Sequence, residues 1–325
     1  MGKGVLLLAI WVLTVFPLSA QVYLHVTEYG TGNLRVFDLS GNSFSEPSSY
    51  TPIRGVSSGA DGMVTGPDGR LFINRDGGEI SLRSLDGSSF TAFTTISGSP
   101  TLLDLTRTST HLYAARYGTS TIYQVDLSVG TFTTLGSPLL LDTVDGLRLG
   151  PDGRLYALDS SDGQIFAYDF TLATWTTFLT PTLTTTSSQF EFSGDDVFVS
   201  RTVSGEARIY RYTLTVSGDY TTGLNPASET LIGSLGSGTA TGIRLGPDNR
   251  LYANNFNTGE IWRSDVGVTS MESTAWVTGL NNPGSIYFSV IPEPSTILLL
   301  TLGASFLLFF RSKMRSSRST LVHKA

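Results

Sequence analysis

One short pattern recurs along the chain and limits what it can fold into. It is an aliphatic residue followed by an aromatic one, at Val22-Tyr23, Leu71-Phe72, Leu112-Tyr113, Leu155-Tyr156, Val197-Phe198 and Leu251-Tyr252. Three copies are preceded by Gly-Pro-Asp, starting at Gly66, Gly150 and Gly246. These starts lie 84 (150 − 66) and 96 (246 − 150) residues apart, each about twice the 40–50 residues of a four-stranded propeller blade. A degenerate copy is expected midway in each gap, and Leu112-Tyr113 and Val197-Phe198 fill those places. A period of this size marks one supersecondary unit that buries its apolar faces only against its neighbours.

Around each pair the rest of a blade can be read. Before it comes an apolar strand, as in Gly62-Met63-Val64, Gly146-Leu147-Arg148-Leu149 and Gly242-Ile243-Arg244-Leu245. After it comes a second one ending in Asp, as in Leu34–Asp38, Ile122–Asp126, Ile165–Asp169 and Ile261–Asp265. A Gly-rich turn such as Ser160-Ser161-Asp162-Gly163 separates the two, and a strand rich in Thr and aromatics follows, as in Thr91–Ile96 and Thr174–Phe178. In Gly-Pro-Asp-Gly the proline presets φ and the last glycine supplies φ > 0, which is hairpin chemistry and not a phosphate loop. The first copy lacks the strand that should precede Val22, and Asn282–Phe288 is that strand without its successors. The predicted architecture is therefore all-β, a six-bladed β-propeller over residues 21–290 whose N- and C-terminal strands close one blade. Blade five is expanded, with the excess around Ser217–Ser228.

Composition narrows the chemistry. No residue is Cys, which removes disulfides, thiol nucleophiles and Cys-held metals. Setting aside Lys3 and the five bases beyond Phe310 leaves 15 of the 21 bases against 27 acids, about −12 for the bulk of the protein. Nucleic acid and anionic lipid are therefore not expected as partners of that bulk.

The two ends carry a different message. Residues 1–20 combine Lys3, an apolar stretch from Val5 to Phe16, Pro17 and the small residues Ser19 and Ala20, the layout of a secretory signal peptide. At the other end, residues 291–325 contain Pro292-Glu293-Pro294, an apolar run at 297–310 and a basic cluster of Arg311, Lys313, Arg315 and Arg318. The run is expected to form a short transmembrane helix, with the cluster held on the cytoplasmic side. This tail resembles the PEP-CTERM sorting signal of Gram-negative bacteria. The resemblance implies processing by an exosortase-like membrane enzyme, with an inner-membrane intermediate followed by display at the cell surface or in the extracellular matrix. An exopolysaccharide or a surface protein is then the expected partner of the propeller.

The stretch Asp145–Tyr156, Asp-Gly-Leu-Arg-Leu-Gly-Pro-Asp-Gly-Arg-Leu-Tyr, resembles NHL-type and SMP-30/gluconolactonase-like six-bladed propellers. If the Gly-Pro-Asp turns mark one face, the loop after each pair-bearing strand and the approach to each innermost strand share the other. Around that mouth the candidates are Glu28, Asn74, Arg75, Arg116, Asp159, Arg201 and Asn255 from the first set, and Asp61, Asp104 and Asp145 from the second. Such a mixture can hold an oxygen-ligated divalent cation of the Ca²⁺ type, or a polar ligand; equally, these residues can cap strand ends and pair with one another. The lactonase resemblance implies a metal held by Glu, Asn and Asp from different blades, for which Glu28, Asn74, Asp159 and Asn255 are the nearest matches, although the usual Glu-Gly-Pro motif is absent. Virginiamycin lyase-like propellers depend on a His, and only His25 and His111 fall in the ring, both within strand sequences. Two functions stay open: a non-enzymatic binding propeller at the cell surface, and a metal-dependent lactonase-like or lyase-like enzyme outside the cytoplasm. The lack of Cys and of clustered His leans toward the first.

Overall fold

The structure, a computed structural model, describes residues 21–39, 50–53, 59–84, 90–136, 142–182, 185–267 and 270–291. The expected signal peptide and the whole sorting segment beyond Ile291 lie outside the described residues. Among the described residues no helix is long and apolar enough to cross a membrane.

The compact unit Val22–Ser289 is an all-β propeller. Its first blade contains β1 (Gln21–Glu28), β2 (Asn33–Asp38) and β3 (Tyr50–Ile53). The second contains β4 (Met63–Thr65), β5 (Leu71–Asn74), β6 (Glu79–Arg83) and β7 (Phe90–Thr95). The third runs through β8 (Leu102–Arg107), β9 (His111–Arg116), β10 (Ile122–Asp126) and β11 (Phe132–Leu135). The fourth is built of β12 (Val144–Leu149), β13 (Leu155–Asp159), β14 (Ile165–Asp169) and β15 (Thr174–Leu179). The fifth has β16 (Thr186–Ser193), β17 (Asp196–Val203), β18 (Glu206–Leu214) and the long, bulged β19 (Leu224–Ser237). The extra length foreseen in this blade is a short 3-10 turn, Tyr220–Thr222, together with β19 itself. The sixth has β20 (Ala240–Leu245), β21 (Arg250–Asn255) and β22 (Glu260–Asp265), and its fourth strand shrinks to a bridge between Ile261 and Val277. Finally β23 (Pro283–Ile291) returns to the first blade, giving the order β23-β1-β2-β3. Six sheets result among the described residues, each a meander running outward from the axis.

The aliphatic-aromatic pair explains why the sheets stack. Successive strand residues face opposite sides, so the two members of a pair enter two different inter-blade cores. Tyr156 packs with Phe178, Phe190, Phe192 and Tyr212 toward blade five, whereas Leu155 packs with Tyr113, Ile122 and Leu147 toward blade three. Tyr252 and Leu251 repeat the division, toward blades one and five. A slip of one residue would put each side chain into the wrong core.

The Gly-Pro-Asp turns tie into this packing. Gly66 N–H donates to Arg70 O, and Gly69 sits at φ 80°. The third copy has Asn249 at that place, with φ 62°, the left-handed region that Asn tolerates better than other side chains. Asp152 and Asp248 each accept the hydroxyl of the pair's tyrosine, Tyr156 at 2.9 Å and Tyr252 at 2.8 Å. The Asp ending the next strand makes a local turn: Asp126 accepts from Ser128 N–H and Asp169 from Thr171 N–H, both at 2.7 Å.

Ring closure rests on specific side chains. Thr27 Oγ1 accepts Ser285 N–H at 2.8 Å, and His25 Nε2 bonds Ser289 Oγ at 2.8 Å. Burial lowers the His25 pKa from 6.5 to about 4. The folded protein thus keeps a neutral ring while the unfolded chain takes up a proton below pH 6.5. The stabilisation is complete above that pH and is lost between pH 6.5 and 4. In urea denaturation, the stability difference between wild type and His25→Leu should shrink by roughly 2 kcal/mol from pH 7 to pH 5. A difference that does not change with pH would contradict this role.

Candidate functional site

The six innermost strands converge on the axis, and at one mouth they leave a cavity of about 350 Å³. All six blades line it: Tyr29 and Gly284 from the first, Asp61 and Asp76 from the second, and Thr101, Leu103 and Tyr117 from the third. Asp145 comes from the fourth, Gln189 from the fifth, and Thr241 and Phe256 from the sixth. These are the approaches to the innermost strands and the loops after the pair-bearing strands, the face expected from the sequence. The Tyr29 and Phe256 rings lie 6.0 Å apart at a 56° tilt, and Tyr117 is 62% exposed, so the rim is aromatic and the floor carboxylic.

Among the described residues no base lines this cavity to neutralise its acids. Asp61 and Asp145 are partly reached by solvent, yet neither carboxylate accepts a hydrogen bond or faces an ion-pair partner among the described residues. Burial raises the Asp61 pKa well above the ordinary range, and the charges of Asp145, Asp76 and Asp104 push it further. Asp145 is raised in the same way, by burial first and then by Asp104. Burial also raises Asp76, with a bond from Thr101 acting in the opposite direction, and its Oδ1 is buried without a partner. The negative field reaches the rim, where Asp76 is the leading cause of a raised Tyr29 pKa.

Deeper along the axis the same kind of charge is compensated. Arg148 Nη1 contacts Asp104 Oδ2 at 2.5 Å, Arg148 Nε lies 3.5 Å from Glu191, and Arg148 Nη2 donates to Gln189 Oε1 at 2.6 Å. Arg244 lies 3.7 Å from both Asp104 and Glu191. Asp104 further accepts the N–H groups of Leu105 and Leu147 at 2.9 and 2.8 Å. Two cations and two acids from four blades thus plug the channel below the cavity. Gln189 joins the tiers, since its Nε2 donates to Asp145 O.

Of the residues expected at the mouth, Asp61 and Asp145 line the cavity. Glu28, Asn74, Arg116, Asp159, Arg201 and Asn255 occupy equivalent places, at or near the mouth end of the pair-bearing strand in each blade, but are not among the lining residues. Four of them hold backbone. Buried Glu28 accepts Asn281 N–H at 2.8 Å and pairs with Arg35 at 2.6 Å. Asn74 Oδ1 accepts the N–H groups of Asp61 and Gly62. Asp159 accepts the N–H groups of Asp142 and Ser161, and Asn255 bonds Leu235 O, Ser237 O and Asn257 N–H. Arg116 ends β9 half-buried. Arg75 pairs with Glu79 at 3.0 Å. Arg201, buried between the Tyr210 and Tyr212 rings, pairs with Glu229 at 3.2 Å.

Among the described residues no three His, Asp or Glu side chains are grouped so as to hold a metal ion. His25 packs inside blade one and His111 bonds Thr110 at the start of β9; neither lines the cavity. The sequence reading missed the aromatic rim, Gln189 and the arginines of the plug. Signals for them were present: an aromatic directly follows the mouth-end residue in three copies (Tyr29, Tyr117, Phe256), and Arg148 and Arg244 stand at the same repeat position inside apolar strands.

The two tiers should respond oppositely to neutralisation. Arg148→Met strands buried acids and should cost about 3–5 kcal/mol of stability. Asp145→Asn removes an uncompensated charge and should add about 1 kcal/mol, or roughly 2–4 °C in Tm, at neutral pH. Because a raised carboxyl pKa destabilises as pH rises, the Asp145→Asn gain should fade toward pH 4. Thermal melts of both variants across that range check this, and destabilisation by Asp145→Asn at neutral pH would contradict it.

No protein-family model matches the chain, and no curated protein matches it in sequence. Solved structures do share its fold. A chain in the crystal structure of a nidogen/laminin complex aligns with TM-score 0.64 at 14% identity, over 82% of this chain and 98% of that one. Selenomethionine-substituted virginiamycin B lyase from Staphylococcus aureus aligns with TM-score 0.51 at 17% identity, over 73% and 71%. A streptogramin B lyase aligns with TM-score 0.51 at 16% identity, over 84% and 74%. Likeness at such identities carries the fold and no chemistry, so the chain is similar to these proteins as a six-bladed β-propeller.

Proposed function

We propose that this protein is a binding module that engages a partner through the axial mouth, exported and displayed at the cell surface or in the extracellular matrix. The observation that carries the reading is the cavity itself, with three carboxylates that no basic residue among the described ones offsets, together with an aromatic rim. Aromatic rings give contact area at low entropic cost, and uncompensated buried charge is what binding sites retain against stability. The nidogen/laminin neighbour is a propeller found in a protein complex, which agrees with an interaction role. The lyase neighbours favour an enzyme only through their fold, and among the described residues no histidine lines this cavity. The export reading rests on residues 1–20 and on the Pro292-Glu293-Pro294 tail with its basic cluster from Arg311 to Arg318. It assigns an exosortase-like processing enzyme, with an exopolysaccharide or surface protein as the partner of the propeller.

The test has two arms. Purified protein on peptide and oligosaccharide arrays should bind at least one class, and the Asp61→Asn/Asp145→Asn variant should lose it, with no turnover of a lactone or streptogramin panel. Turnover, or binding indifferent to the mouth variant, would sink the binding reading. In cells, a chain ended after Val290 should be secreted folded and not retained; retention equal to the full chain would sink the sorting reading.

A further inference from the structure

The axis holds two tiers of acid, and only one has its cations. In the lower tier Asp104 and Glu191 share Arg148 and Arg244. In the upper tier Asp61, Asp76 and Asp145 face the cavity, and among the described residues no lysine or arginine lines it. Among the described residues no three of the acids group closely enough to hold a metal ion by carboxylates alone. They are instead spread around a space of about 350 Å³, at the small end of the roughly 300–1,000 Å³ typical of ligand sites. A cation that fits must be broad, carry several donors and tolerate aromatic neighbours. A guanidinium meets all three conditions: it is planar, offers five N–H donors, is weakly hydrated and stacks on rings. The protein uses that pairing elsewhere, with Arg148 against Asp104 on the axis and Arg201 between two tyrosine rings.

Independent of the charge count, Asp76 Oδ1 is buried with no donor among the described residues although it belongs to a cavity-lining residue. Buried polar atoms in native proteins are nearly always satisfied, so an orphan acceptor in a cavity wall points to a donor arriving from outside. The rim is suited to it: the Tyr29 and Phe256 rings line the cavity tilted against each other, and the exposed Tyr117 lines it too.

Building on the mouth-binding reading, we propose that the cavity receives the arginine side chain of a partner protein segment, its guanidinium completing the upper tier as Arg148 and Arg244 complete the lower one. Asp61 and Asp145 supply the charge, Asp76 an acceptor, and the aromatic rim the apolar walls for the arginine stem. The preference over lysine follows from the spread of acceptors, which one ammonium cannot span while a forked guanidinium can.

The test uses the full chain and three blocked tripeptides, Ac-Gly-Xaa-Gly-NH₂ with arginine, lysine or citrulline at the centre, followed by calorimetry or NMR shift titration. The arginine peptide should bind saturably, the lysine peptide more weakly, and the neutral citrulline isostere at least tenfold more weakly. Asp61→Asn and Asp145→Asn should each weaken arginine binding about tenfold while leaving the protein folded and no less thermostable. Tyr117→Ala should weaken it without altering the melt. Equal binding of arginine and citrulline, tighter binding of calcium chloride than of the arginine peptide, or no saturation with the arginine peptide would overturn the proposal. If array ligands are still lost in the mouth variants but show no dependence on arginine, the guanidinium assignment fails and the mouth reading stands. If the mouth variants change nothing, both fail.

Discussion

Closure of six sheets around one axis is the constraint on which everything else in this molecule depends. Where the innermost strands converge there is little room, and the sequence yields to it. A Cβ on Gly62 would lie 2.6 Å from Leu105 N, and one on Gly284 would lie 2.5 Å from Asp61 Oδ1. The second of these shows how space and charge are linked, because the missing side chain at Gly284 is what lets the Asp61 carboxylate stand at the mouth. Convergence also brings charges from separate blades together. Asp104, Arg148, Glu191 and Arg244 come from blades three to six and meet as a compact, nearly neutral group. In a low-dielectric interior such a group holds only while every member is matched.

Above that plug the matching stops. Burial raises the pKa values of Asp61, Asp145 and Asp76, and the charges of neighbouring acids push Asp61 further, a cost the fold carries without structural return. The contrast between adjacent tiers argues that the upper one is kept for a ligand, because the chain demonstrably places arginines on the axis where it needs them. The mouth-end polar residues serve the same purpose indirectly. Glu28, Asn74 and Asp159 each use a side-chain oxygen on loop backbone, and Asn255 uses both its oxygen and its amide, holding the approaches to the innermost strands in place.

Much of this was legible in the sequence, for physical reasons. The aliphatic-aromatic pair repeats because each pair-bearing strand feeds two inter-blade cores, so the fold left a periodic trace. The first copy's missing strand and the orphan strand at Asn282–Phe288 exposed the closure. The mouth was foreseeable as a place, since turns and loops alternate between faces. What could not be read was direction. Asn74 and Asp61 were equally good candidates, yet one turns its oxygen to backbone and the other faces the cavity. The plug was hidden for a related reason: Arg148 in an apolar strand looks like a solvent-facing position until the ring shows that the facing surface is another blade.

Direct titration of the two axial carboxylates is the most decisive measurement. In ¹³C NMR of aspartate-labelled protein, with resonances assigned through Asp61→Asn and Asp145→Asn, both carboxyls should titrate well above the ordinary aspartate value of about 3.9. On saturation with the arginine peptide at least one should fall, as a bound cation favours its ionised form. Two ordinary titrations in the free protein, unmoved by the peptide, would contradict the account.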